Sequence, residues 1–138
     1  MDTKTALARL NSVCKNTLME TLGIEIIEVS NDKVVASMPV TSKVHQPDGV
    51  LHGGATVALA ETVGSYASVL SIDTETQMVR GIEITANHLG SVKEGKVIAT
   101  ATPIHKGKTT HLWEIKIVDE QNKLISHCKL TTIVLSKR

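Results

Sequence analysis

The chain has 138 residues, 41% hydrophobic and 21% charged, which is the composition of a folded globular protein long enough for one domain with its own core. A net charge of +1 excludes the basic excess that nucleic-acid binding requires, and with one Trp, one Tyr and no Phe there is no platform for base stacking. The two cysteines, Cys14 and Cys128, fit neither a CxxC motif nor a disulfide framework and read as small buried apolar side chains in a reducing compartment.

The chain opens Met1-Asp2-Thr3-Lys4 and shows no apolar run of the kind a secretion signal needs, so a cytoplasmic protein is expected. Leu7, Leu10, Val13, Leu18 and Leu22 stand near helical spacing and predict one amphipathic N-terminal helix within residues 1–22, closed by Gly23. Residues 24–29 and 34–40 are β-rich and flank the turn Ser30-Asn31-Asp32-Lys33, which reads as a hairpin. Pro47 and Gly49 mark 41–52 as a loop. Residues 53–70 read as a helix apolar on nearly all sides, hence buried. The run from Gly49 to Leu70 is long enough to suggest a membrane span, but His52 and Glu61 interrupt it and small residues dominate. Four further runs, 78–89, 95–105, 109–119 and 123–135, are rich in Val, Ile and Thr. In the third, His111, Trp113, Ile115 and Ile117 share one face, and Leu112, Glu114, Lys116 and Val118 the other. An all-round apolar helix needs a surface to wrap it, and a twisted antiparallel sheet of about six strands supplies one. The expectation is a single α+β domain over residues 1–138.

Inside the central helix stands one carboxylate, Glu61. Its helical neighbours at three and four residues are Val57, Ala58, Gly64 and Ser65, so no local ion pair accounts for it. An ionised carboxylate among apolar residues is costly unless it is paired or used. Ser65, one turn on, shares its face and could orient it or a water. The helix begins His52-Gly53-Gly54, where a glycine amide at the positive end of the helix dipole could polarise a carbonyl. Glu61 lies eight residues from Gly53, about 12 Å along a helix. Both cannot touch one carbonyl from the same helix, so a joint action requires a second chain related by a two-fold axis. Gln46 could donate to the same carbonyl. His45 and His88 could carry protons or donate hydrogen bonds, although a lone His is more often structural. His105, His111 and His127 have no metal spacing, and no metal is expected. Lys93, Lys96, Lys106 and Lys108 fall in expected turns, as solvated charge or as a patch for phosphates.

The runs His45-Gln46-Pro47-Asp48-Gly49-Val50-Leu51-His52-Gly53-Gly54 and Leu59-Ala60-Glu61-Thr62-Val63-Gly64-Ser65 resemble the hotdog-fold acyl-CoA thioesterases. Gly81-Ile82-Glu83-Ile84-Thr85-Ala86-Asn87-His88, followed by Glu94-Gly95-Lys96-Val97, extends the match, which covers about Leu22 to Leu135. The similarity is to the aryl-CoA group that includes the enterobactin-pathway and menaquinone-pathway (1,4-dihydroxy-2-naphthoyl-CoA) enzymes, within the PaaI-like superfamily. Glu rather than Asp at position 61 sets it apart from the phenylacetate-pathway branch. The resemblance implies hydrolysis of an aryl or medium-chain acyl-CoA without a cofactor, by a homodimer that commonly pairs into a homotetramer. It implies Glu61 as nucleophile or general base, assisted by Ser65. The Gly53 N–H, helped by Gln46 and His52 of the other chain, would hold the thioester oxygen, with Gly54 beside it. His88 and Asn87 would lie near the substrate. Asp48 stands where relatives often have an aromatic, and Gly90 where they often have an Arg suited to CoA phosphates, which leaves Lys93, Lys106 and Lys108 for that task. Two other activities fit the same scaffold: a non-catalytic acyl-CoA sensor, which would bind without releasing thiol, and a dehydratase on acyl carrier protein, which would hydrate an enoyl thioester reversibly. No nucleic-acid or membrane partner is expected.

Overall fold

Six runs of β-branched residues form six strands, and their alternation decides which side of the sheet becomes the interior. The computed structural model describes residues 2–138. In chain order the elements are α1 (Thr3–Ser12), α2 (Leu18–Leu22), β1 (Glu25–Ser30), β2 (Lys33–Pro39), a 3-10 turn (Ser42–Val44), α3 (Gly53–Val69), β3 (Gln77–His88), β4 (Lys96–Lys106), β5 (Thr110–Val118) and β6 (Leu124–Ser136). The strands pair antiparallel in the order β1-β2-β4-β5-β6-β3. Helix α3 carries the chain from β2 across one face of the sheet to the opposite edge, where β3 pairs with β6 alone.

The core lies between α3 and this face. Ala99 and Ala101 of β4, Ile115 and Ile117 of β5, and Cys128 and Leu130 of β6 are fully buried there, as are Leu59, Ala60 and Val63 of α3. On β5 the buried set is His111, Trp113, Ile115 and Ile117, while Leu112, Glu114, Lys116 and Val118 face outward, as the alternation predicts. Both cysteines are free and buried. No helix among the described residues is long and apolar enough to cross a membrane.

Two expectations are corrected. The N-terminal helix is not continuous. It ends at Ser12, the chain turns through Asn16 in the left-handed region (φ 61°), and α2 begins at Leu18. The apolar spacing runs on past the break, so periodicity hides it. Tertiary contacts hold α1 in place ahead of it: the Asn11 carboxamide accepts from Ile26 N–H (2.9 Å) and donates to Ile26 C=O (2.8 Å), tying α1 to β1. Nor is α3 enclosed on all sides. A sheet covers one side of a helix, and here Val57, Ala58, Glu61, Thr62 and Ser65 stay half-buried on the flank it leaves open.

One polar cluster sits wholly inside. Ser68 Oγ accepts from Trp113 Nε1–H (2.6 Å) and lies 2.9 Å from His111 Nδ1 and 2.7 Å from Thr132 Oγ1. Burial pushes His111 below the ordinary His range, and the nearby Lys106 and His105 charges push the same way, so the ring is held neutral. The unfolded chain takes up a proton at higher pH than the native ring does. The His111 contribution to stability is therefore complete above the ordinary His range and is lost as pH falls through it toward the depressed native value. Thermal melts of wild type and His111→Gln between pH 8 and pH 5 should show a gap in Tm that is widest at pH 8 and narrows on acidification.

Candidate active site

The loop before α3 is pinned at several points, and these set the first half of the site. Leu51 N–H donates to Val92 C=O, His52 N–H to Val44 C=O, and the His45 ring bonds Lys93 C=O at 2.8 Å. His45 is thus a loop tie. A turn closed by Gln46 N–H to Val50 C=O (2.8 Å) and Gly49 N–H to Gln46 C=O (2.9 Å) presents the Gln46 side chain outward. Gln46, Gly53 and His88 line one open pocket of about 330 Å³, floored by Val50, Thr56 and Ile125.

His52 caps α3. Its Nδ1 accepts from Gly54 N–H at 2.8 Å, so a neutral His52 carries its proton on Nε2 and can donate from there. The Gly54 amide is consumed by this cap. Gly53 N–H, in the first helical position, has no partner among the described residues and lies on the pocket wall. It is the amide free to meet an oxyanion. His88 stands against it: a methyl on Gly53 would lie 3.0 Å from His88 Nε2, so the glycine is what allows ring and helix start to approach. Asn87 does not join this group. Strand alternation puts it on the sheet face away from α3, exposed and opposite His127.

Glu61 and Ser65 form a second group, two turns further along α3 on the open flank. Among the described residues Glu61 makes no ion pair. Its carboxylate rests on the backbone of β3, where a methyl on Gly81 would stand 2.7 Å from Oε2. This contact falls at the bulge between Gly81 and Glu83 on the free edge of the sheet. Gly81 is a site residue that the sequence reading did not single out. The available signal was a glycine inside a β run, which marks a bulge or a close approach. Ser126, which bonds His88 Nδ1 at 3.0 Å, was also missed, and no local pattern could have revealed it.

The basic residues separate. Lys93 lies in the segment that ties down the loop of the pocket. Lys106 ends β4, ten residues from Lys96, roughly 33 Å of strand away. It pairs with Asp32 at 3.1 Å, and Lys108 follows it in the β4–β5 turn. Within one chain the three cannot form a single phosphate site. Among the described residues no group of three or more His, Cys, Asp or Glu is placed to hold a metal ion.

A helix laid across an antiparallel sheet, with a glycine amide at its start and a carboxylate on its open flank, is the arrangement of a hotdog thioesterase. Residues 48–126 match the thioesterase superfamily. The chain is 50% identical over 121 residues to the 1,4-dihydroxy-2-naphthoyl-CoA hydrolase of Listeria monocytogenes, covering 88% of this chain and 98% of that one. It is 43% identical over 129 residues to the proofreading thioesterase EntH of Cronobacter turicensis, covering 94% and 93%. The crystal structure of a mutant thioesterase from Pseudomonas aeruginosa superposes with a TM-score of 0.93 at 42% identity, covering 95% of this chain and 94% of that one. The chain belongs to the thioesterase superfamily, has its hotdog fold, and is a thioester hydrolase of the acyl-CoA type.

Gly81→Ala tests the seat of the carboxylate. The added methyl displaces Glu61 Oε2, and if that carboxylate acts on the substrate, kcat should fall by about tenfold or more with an unchanged circular-dichroism spectrum.

Proposed function

We propose that the catalytic unit is a pair of chains sharing two equivalent sites. Each site takes Glu61 and Ser65 from one protomer and Gln46, His52 and Gly53 from the other. One observation carries this reading: the free amide and the unpaired carboxylate lie on a single helix, eight residues and about 12 Å apart, one lining the pocket and the other resting on Gly81 of β3. Two features support the partnership. Strand β3 is long, sits at the edge of the sheet and has one side without a partner, as edge-to-edge pairing requires. Antiparallel pairing of two copies of β3 would lay the His88 end of one beside the Gln77 end of the other, bringing each pocket toward the opposite carboxylate.

In this site the thioester carbonyl points at Gly53 N–H, with donors from Gln46 and His52 beside it. The charge that develops on oxygen is met by groups already in place. Glu61 either adds to the carbonyl carbon, giving an anhydride that water then hydrolyses, or removes a proton from a water that adds instead. Either course expels the CoA thiolate, which is protonated, and leaves the free acid. Ser65 orients the carboxylate or the water. The substrate is an aryl or medium-chain acyl-CoA, a choice supported by the hydrolase of naphthoyl-CoA that is 50% identical. The pocket lining includes the aliphatic side chains Val50, Leu51, Leu89 and Ile125 among its polar groups, and aliphatic side chains also accept rings. Lys93, whose carbonyl ties down the pocket loop through His45, is the lysine assigned in this reading to the CoA phosphates, while Lys106 and Lys108 could meet them only from another chain. A homotetramer of two such pairs is the expected assembly.

The test is release of free thiol from benzoyl-CoA and hexanoyl-CoA. Glu61→Gln should lower kcat by about a thousandfold while the melting temperature holds. Full activity in that variant would remove the mechanism, and tight binding without thiol release would mark a sensor. Sharing of the site is checked by co-expression. Glu61→Gln and Gln46→Ala chains together should regain activity that neither has alone, because a mixed pair contains one intact site. No recovery in purified mixed pairs would place both groups in one chain.

A further inference from the structure

The His88 ring meets the start of α3 through Nε2, and its other nitrogen is held from behind. His88 and Ser126 face each other across the β3–β6 pair. Ser126 is fully buried, and its Oγ has three polar neighbours: His88 Nδ1 at 3.0 Å, Asn87 C=O at 3.2 Å and Cys128 Sγ at 3.4 Å. A hydroxyl has one proton to give. The carbonyl can only accept. If the proton went to His88 instead, two oxygens would face each other at 3.2 Å with no hydrogen between them. The Ser126 proton therefore goes to Asn87 C=O, and its lone pairs are left to accept. Cys128 is consistent with this, since burial keeps its thiol protonated and able to donate.

We infer that Ser126 is a positioning residue that holds neutral His88 as its Nδ1–H tautomer, so that Nε2 presents a lone pair to the pocket beside Gly53. The inference rests on the thioesterase reading for its consequence but not for its geometry. Nε2 makes no hydrogen bond among the described residues, stands over the Gly53 α-carbon and lies on the pocket wall. The site then holds two opposite groups side by side. The Gly53 N–H is a donor for the thioester oxygen. His88 Nε2 is an acceptor for an O–H or N–H, on a water or on the substrate, lying over the first turn of α3. The other tautomer would put two donors there and leave an incoming O–H or N–H without an acceptor. The second-strand hydroxyl thus sets the polarity of a ring it does not share a loop with.

The 15N shifts of the imidazole nitrogens, measured on the folded protein at a pH where His88 is neutral, read this directly. In wild type Nε2 should resonate as an unprotonated nitrogen and Nδ1 as a protonated one. Ser126→Ala should move both toward the average of the two tautomers and lower kcat by about tenfold with little change in KM. Ser126→Thr, which keeps the hydroxyl, should restore both. A wild-type His88 protonated on Nε2, or a Ser126→Ala protein with unchanged shifts and kcat, would overturn the inference. If the wild-type protein released no thiol from any acyl-CoA, the functional reading would fail while the nitrogen shifts still decided the tautomer.

Discussion

Helix α3 holds an amide and a carboxylate at a separation it cannot change. Its buried side, Leu59, Ala60, Val63 and Ala67, is locked against the sheet, so the helix can neither bend nor roll to bring Glu61 toward Gly53. The proposed mechanism rests on this rigidity. In that reading a single chain presents two half-sites, one at the helix start and one on its open flank. The proposed dimer is the geometric answer, because a two-fold axis converts two separated halves into two complete sites without moving a backbone atom.

The same constraint explains why small residues crowd the chemistry. Gly53 lets the His88 ring approach the helix start, and Gly81 lets the Glu61 carboxylate settle on the edge strand. In each case a side chain that carries charge or protons lies against bare backbone, where a methyl group would push it away. Preorganisation here comes from absent atoms as much as from hydrogen bonds. The polar cluster of Ser68, His111, Trp113 and Thr132 works differently: it sits deep in the core, fully bonded, and fixes the far part of α3 against β5 and β6.

Comparison with relatives strengthens the chemistry and narrows its scope. The thioesterase superfamily match and the similarity to a naphthoyl-CoA hydrolase and a proofreading thioesterase establish the class of reaction. They leave the acyl group to the pocket, whose lining in this chain mixes aliphatic side chains such as Val50 and Ile125 with polar ones such as Gln46 and His88. The separation of Lys93 from Lys106 and Lys108 also removes the simple picture of one lysine patch for CoA.

The strands and the long helix were legible because alternation and helical periodicity are local, and each was placed to within a residue. Glu61 and the His52-Gly53-Gly54 start were legible because a carboxylate without a local partner and a glycine pair before a helix are anomalies in the sequence itself. The break at Asn16 was not, because apolar spacing carried on through it and the tie from Asn11 to Ile26 spans 15 residues. Nor was the seat of Glu61 on Gly81, the turning away of Asn87, or the grip of Ser126 on His88. These depend on which strands pair and in what register, and register is a property of the whole sheet. The amino-acid sequence by itself determined the strands and the long helix and singled out the candidate groups. Only the tertiary structure decided which groups meet, because contacts between residues distant along the chain are set by packing that no local pattern encodes.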